Sequence, residues 1–335
     1  MEYNPLTLTR RRKKIIDATF DIITNAPWLV DSEEYFGTLD VQSQLTDFYT
    51  VEDIAVDDTT ADAQVLIFDV PSAPLQIRVD PAQLWIAGDI RQLETIQKDR
   101  RYSIFGNTGL FYRYALATLE RFHGIFSMHA SALYDPSRQE LVIVGGGTGA
   151  GKSVYVFESL ARGFQVFAAE MTFFKLTDDG VLFYKGALHD NVWTGSVKGE
   201  YAHIIRERLG ITSLDQRQSF LSKAVVNFTP ASTPQDTLLN PSVLMILSRV
   251  EQDRASCSVS SLREPLGAAA KLYEVASEKL QAGYVLYERY AAPSVDSPEM
   301  QTARLLACQK LVTGPWMREV RKVVAGPQNC MEALD

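Results

Sequence analysis

The sequence predicts an α/β chain of mixed α+β kind, with an N-terminal α+β accessory domain over residues 1–105 and a larger core over residues 106–335. Three observations predict it. Short alternating apolar runs separated by turn residues fill residues 63–86, a strand signal. Phe111, Ala115, Leu119 and Phe122 fall on one face at helical spacing. A glycine-rich segment, Gly146–Ser153, sits between a Leu-Val-Ile-Val strand and an amphipathic stretch.

In chain order, a first helix is expected over Thr7–Thr24. The basic run Arg10–Lys14 opens it as a solvated face, and Ile15, Ile16, Phe20 and Ile23 anchor it. It should stop near Asn25-Ala26-Pro27. The acidic stretch Glu52–Asp62 is expected as an exposed loop. Strands follow at Ala63–Val70, Leu75–Val79 and Leu84–Ile86, divided by Pro71-Ser72 and Asp80-Pro81. No motif that carries chemistry stands in residues 1–105.

The core opens with a helix over Thr108–Phe122, ended by Gly124. A strand Phe126–Tyr134, a turn at Asp135-Pro136-Ser137 and a strand Leu141–Val144 lead into the glycine-rich segment. Val154–Leu160 is the helix behind it, capped by Gly163. Val166–Ala169 is a short strand ending at Glu170. Phe173–Leu176 and Val181–Tyr184 flank Asp178-Asp179-Gly180 as a hairpin, which makes those aspartates turn residues rather than metal ligands. The continuous apolar run Val243–Leu247 is a central strand. Helices around Leu266–Lys279 and Pro298–Leu311 and a strand Trp316–Val324 close the chain.

Composition narrows the function. The net charge is −8, so no broad basic field is available for a polyanion, and nucleic acid is not favoured as a partner. Cys257, Cys308 and Cys330 are odd in number, widely spaced and without a CxxC pair, which argues against a disulfide framework or a zinc site. The four histidines form no HxxxH pattern. No apolar stretch is long enough to span a bilayer, so no membrane partner is expected. Met1-Glu2-Tyr3-Asn4-Pro5 does not read as a signal peptide, and the cytoplasm is the expected compartment.

The segment Gly146-Gly147-Thr148-Gly149-Ala150-Gly151-Lys152-Ser153 matches GxxxxGK[ST]. Glycines let the backbone curl until successive N–H groups face phosphate oxygens. The helix that begins after Lys152 points its positive end at the same anion. Lys152 suits the terminal phosphates and the Ser153 hydroxyl suits Mg²⁺. A nucleoside triphosphate such as ATP, or a related phosphate donor, is therefore the expected ligand, with Mg²⁺ beside it.

Two further features narrow the class: the leading strand carries Met128-His129-Ala130-Ser131-Ala132-Leu133, and the strand after the loop helix ends in Ala168-Ala169-Glu170. With Arg162-Gly163 between them, the stretch 108–185 resembles the HPr kinase/phosphorylase family. The likeness extends to 186–335 only in outline. It implies a phosphoenolpyruvate carboxykinase-like P-loop kinase core, phosphoryl transfer to a hydroxyl, and relatives that are often multimeric, so a homo-oligomer stays open. It implies that Lys152 and Ser153 hold donor phosphates and Mg²⁺, that Glu170 acts as general base, metal ligand or both, and that His129 lies near the terminal phosphate. Ala169 stands where the family has its first aspartate, which leaves one carboxylate where two are usual.

Other candidates carry two readings each. His129 also suits a hydrogen-bonded core histidine. Lys185, His189, Asp190 and Asn191 form either a solvated loop or a polar cluster in which Lys185 neutralises phosphate and Asp190 or Asn191 completes a metal shell. Arg249 is an exposed arginine or a transition-state clamp. Trp193–Gly199 is a mobile substrate loop or a plain connection. The glycine-rich loop together with the resemblance implies an ATP- and Mg²⁺-dependent kinase acting on an alcohol of a small molecule or peptide. Glu170, Lys152 and His129 would be catalytic, and Ser153, Glu170 and Asp190 would surround the metal. The rivals are a nucleotide-binding regulatory module without transfer activity and a simple NTP hydrolase.

Overall fold

The computed structural model describes residues 7–36, 47–57, 59–147, 149–211, 222–281 and 283–334. They form a mixed α+β chain of two compact units. The first comprises Met1–Ile125 and Lys279–Met300, and the second Phe126–Glu278 and Gln301–Asp335. The expected boundary at 105/106 therefore shifts. Phe111 packs edge-on against Phe20 and Phe105, at centroid distances of 5.3 and 5.2 Å, which ties its helix to the first unit. Tyr287 donates to Glu94 at 2.6 Å, which ties in residues 279–300.

The first unit is a six-stranded sheet in the order β3-β1-β2-β4-β6-β5, from β1 (Thr9–Ile15), β2 (Ala18–Thr24), β3 (Val51–Ile54), β4 (Ala63–Asp69), β5 (Gln76–Asp80) and β6 (Gln83–Gly88). Single turns α1 (Pro27–Val30) and α2 (Glu33–Phe36), then α3 (Ile90–Ile96) and α4 (Leu110–Thr118), accompany it. A wider turn over Leu119–His123 continues α4, and Gly124 ends it in the left-handed region at φ 62°.

Three expectations for this unit are corrected. Thr7–Thr24 is an antiparallel hairpin, not a helix, because its β-branched Thr and Ile residues favour a pleated surface and Ile16 adopts φ 55° to turn the chain. The basic run is not a solvated face either. Arg12 lies opposite Asp21 in register, is 3% exposed, and forks onto that carboxylate at 2.7 and 3.0 Å. The acidic stretch is partly strand: β3 pairs with β1, and Asp53 receives Lys13.

The second unit centres on a sheet ordered β10-β8-β9-β16-β20-β17, from β8 (Ala130–Asp135), β9 (Glu140–Gly145), β10 (Gln165–Ala168), β16 (Ser242–Val250), β17 (Ser258–Ser261) and β20 (Met317–Ala325). β16 runs parallel to both β9 and β20. Alternate residues feed opposite cores. Val142 and Val144 join one cluster with Tyr155, Phe157 and Leu160 of α5 (Lys152–Ala161). Leu141 and Ile143 join another with Leu272 of α8 (Pro265–Gln281) and Leu311 of α9 (Pro298–Thr313). Burial on both faces explains the unbroken apolar run in β9.

A second sheet, β15-β12-β11-β7, is built from β7 (Ile125–Met128), β11 (Thr172–Thr177), β12 (Gly180–Tyr184) and β15 (Thr237–Leu239). A ribbon of β13 (His189–Trp193) and β14 (Lys223–Asn227) carries α6 (Thr194–Lys198) and α7 (Ala202–Leu209) between its strands. The small ribbon of β18 (Val285–Leu286) and β19 (Tyr290–Ala291) belongs to the first unit.

Candidate functional site

The glycine-rich loop joins β9 to α5 and is shaped by its glycines. Gly146, Gly149 and Gly151 all take positive φ, at 156°, 84° and 90°. The end of β16 holds the loop from the side: Ser248 Oγ and Val250 N both donate to Ala150 O, at 2.8 and 3.1 Å. This contact requires glycine, since a Cβ on Gly151 would stand 2.2 Å from the Val250 side chain. Gly147 and Gly149 face open space, leaving a cradle beneath the N-terminus of α5. Thr148, named among the phosphate-binding residues, lies outside the described residues.

Lys152 and Ser153 begin α5. Lys152 Nζ donates to Gly146 O at 2.9 Å and lies 3.2 Å from His129 Nε2. Ser153 Oγ donates to Asp190 Oδ2 at 2.7 Å. Asp190 comes from β13, so the site joins the glycine loop to a ribbon outside the main sheet.

His129 occupies a break that the sequence did not disclose. The expected single strand Phe126–Tyr134 is two strands, β7 in the four-stranded sheet and β8 in the six-stranded one. At the crossing the His129 backbone N–H leaves the ladder and donates to Val275 O of α8 at 3.1 Å. The ring is 4% exposed. Its Nε2 lies 3.3 Å from Glu170 Oε1, and so stands between a carboxylate and the Lys152 ammonium. Its Nδ1 lies 2.9 Å from Glu278 Oε1 but out of line for a hydrogen bond.

Glu170 follows the end of β10 and keeps about a quarter of its side chain exposed, 23%. Ala169, one residue earlier, is 1% exposed and sits in an apolar cluster. Its N–H donates to Ala187 O at 2.6 Å and its carbonyl accepts from Ser131 Oγ. Position 169 is thus interior, where a carboxylate would meet no solvent.

His129, Lys152, Ser153, Glu170 and Asp190 line one cavity of about 400 Å³ together with Gly147, Gly149, Ala150 and Gly151. Trp193, Ser196, Glu200, Tyr201 and Lys223 form a further wall, and Val250, Gln252 and Pro327 another. Burial pushes the Asp190 carboxyl up to about 6, and the neighbouring charge of Glu170 adds to the effect. The Ser153 hydrogen bond and the Lys152 charge oppose it. Hydroxyl and carboxylate oxygens of this kind suit Mg²⁺, and a cation between Ser153 and Asp190 would relieve the buried charge. Among the described residues no three His, Cys, Asp or Glu side chains gather to hold a metal alone. Phosphate oxygens and water would have to complete an octahedral shell there, which is how Mg²⁺ ordinarily binds at phosphate sites.

The other sequence candidates divide between the cavity and the rest of the fold. Lys185 is not part of the cavity lining: it is 4% exposed and donates to Thr233 O and Asp236 Oδ1 at 2.8 and 2.9 Å. His189 is half-buried outside the cavity lining, and burial lowers its basicity. Asn191 does line the cavity. Arg249 is exposed, paired with Glu251 at 3.0 Å, and absent from the lining. The Trp193–Gly199 segment is neither a loop nor a plain connection: Thr194–Lys198 is the short helix α6, and Trp193 and Ser196 reach the cavity. Glu278, Tyr201, Lys223, Gln252 and Pro327 escaped the sequence reading, because no spacing links residues so distant along the chain.

No protein-family model matches this chain, and no curated protein sequence matches it. No helix among the described residues is long and apolar enough to cross a membrane.

Proposed function

We propose that this protein is an ATP- and Mg²⁺-dependent phosphotransferase that moves a phosphoryl group onto an alcohol of a small molecule or peptide, from a core of phosphoenolpyruvate carboxykinase-like type. The observation that carries the reading is the convergence of Lys152, Ser153, His129, Glu170 and Asp190 on one cavity beside the glycine loop. A phosphate-gripping backbone alone would serve any nucleotide binder. A carboxylate pair and an imidazole within the same space add the means to take a proton from an acceptor.

The residues divide the work by chemistry. Backbone N–H groups of the loop bind the donor phosphates, and Lys152 exchanges its present partner, Gly146 O, for a phosphate oxygen. Ser153 and Asp190 are the oxygen ligands that would hold Mg²⁺, which when bound neutralises charge on the phosphates. Glu170 accepts the proton of the acceptor hydroxyl as its oxygen bonds to phosphorus and the nucleoside diphosphate leaves. His129 Nε2, 3.2 Å from Lys152 Nζ and 3.3 Å from Glu170, accepts from the lysine and holds its ammonium beside that carboxylate. Phosphoryl transfer depends mainly on positioning and charge neutralisation, so one base at the strand tip suffices without a partner at Ala169.

The test is a pair of substitutions read by nucleotide binding and by labelled-phosphate transfer across a panel of alcohols. Lys152→Ala should weaken ATP·Mg²⁺ binding at least tenfold. Glu170→Gln should keep affinity within about threefold while transfer falls about 10²–10⁴-fold, the usual range for a general base. Full transfer by the Glu170→Gln variant would remove Glu170 from its role. Phosphate release at one rate with and without acceptors would make the protein an NTP hydrolase, and binding without any turnover would make it a regulatory module.

A further inference from the structure

We propose that Glu278 is a positioning residue of this site: its carboxylate fixes the His129 ring through Nδ1, so that Nε2 faces Lys152 and Glu170. The inference rests on the phosphotransferase reading for its kinetic consequence, and on geometry alone for the rest.

Helix α8 grips His129 twice. Val275 O accepts the backbone N–H at 3.1 Å, and Glu278, one turn further along the same helix face, brings Oε1 to 2.9 Å from Nδ1. The Nδ1 atom is buried and makes no aligned hydrogen bond. A buried ring nitrogen needs a partner, and a charged acceptor already lies at bonding distance. The opposite nitrogen is placed between Lys152 Nζ and Glu170 Oε1 at 3.2 and 3.3 Å. Which nitrogen of a histidine carries the proton is set by the bond the other makes. Glu278 therefore keeps a proton on Nδ1 and the ring edge turned to the phosphate-binding lysine. Its own side chain is not part of the cavity lining, so donor affinity should not depend on it.

The test uses the full-length chain with Glu278→Ala and Glu278→Gln. Removing a carboxylate that orients a histidine of the site should cost about 10–100-fold, as it does for metal-bound histidines, so kcat of the alanine variant should fall by about that factor with the ATP KM within twofold. The glutamine variant keeps an oxygen that can accept from Nδ1 and should retain most of the rate. Side-chain ¹⁵N spectra of His129, taken without nucleotide, should show a protonated Nδ1 in the native and glutamine forms and mixed tautomers in the alanine form. Glu278 is about one-third exposed, 36%, and glutamine preserves its size, so a folded variant is available even if alanine fails. Native nitrogen shifts in the alanine variant overturn the inference, whether or not kcat drops. If the native chain transfers no phosphoryl group at all, the phosphotransferase reading falls and the nitrogen shifts still decide the role of Glu278.

Discussion

Asp190 shows how a single residue carries both a cost and a use. Its carboxyl is pushed up to about 6 by burial and by Glu170, so in the folded protein the protonated form is favoured relative to the unfolded chain. The stability this lends is fully present below the unfolded value, near 4, and is lost as pH rises through about 6. The shift corresponds to at most about 3 kcal/mol, and less in practice because one edge of the carboxylate is wetted by the cavity. Denaturant unfolding of the chain in chelator, scanned from pH 4 to 7.5, should therefore show a fall that Asp190→Asn flattens. The asparagine variant should be the more stable of the two at pH 7. An unchanged slope in that variant would show that Asp190 is not the group responsible. A site residue that destabilises its own apo fold is a common sign of function, because its charge awaits a partner.

At the scale of elements, the loop, its strand and its helix were legible because their chemistry is local. A GxxxxGK[ST] run between an apolar strand and an amphipathic segment needs no tertiary information. The same holds for the Asp179-Gly180 hairpin and for α8 and α9. The first hairpin was not legible as such. Its charges read as a solvated helix face, whereas Arg12 is buried by an aspartate across the strand and by Asp57 some forty residues on. The break at His129 was hidden for a related reason: a strand that changes sheets keeps its apolar pattern, and only the partners on each side reveal the crossing. The loop itself offers a sharp test. Gly151→Ala would force a side chain into φ 90° and onto Val250 at 2.2 Å, so it should lower stability by about 1–3 kcal/mol and weaken ATP binding tenfold or more. Gly147→Ala, whose Cβ would meet nothing within 4 Å, should leave the melting temperature within about 1 °C. Equal melting of all three chains would show that the loop yields where the packing says it cannot.

For the whole molecule the decisive fact is that the chain leaves the second unit at Glu278 and returns at Gln301. A sequence boundary at 105/106 suggests that the core could be cut free by trimming the N-terminus, and the structure says otherwise. Leu286 and Tyr287, in the returning segment, are buried at 0% and 2% exposure, and Tyr287 bonds both Tyr102 O and Glu94 in the first unit. Residues 126–335 alone would keep these apolar groups and lose what covers them, so that chain should aggregate or elute as mixed oligomers on size exclusion. Every residue lining the cavity beside the glycine loop nevertheless belongs to the second unit. Replacing 283–297 with a Gly/Ser stretch of equal length in the 126–335 chain should therefore restore a single sharp unfolding transition and ATP·Mg²⁺ affinity within about tenfold of the full protein, since long flexible insertions add little closure entropy. A trimmed chain that is already monomeric and melts as sharply as the full protein would show that the returning segment does not need the first unit. A relinked chain that folds but fails to bind nucleotide would show that the first unit contributes to the grip itself.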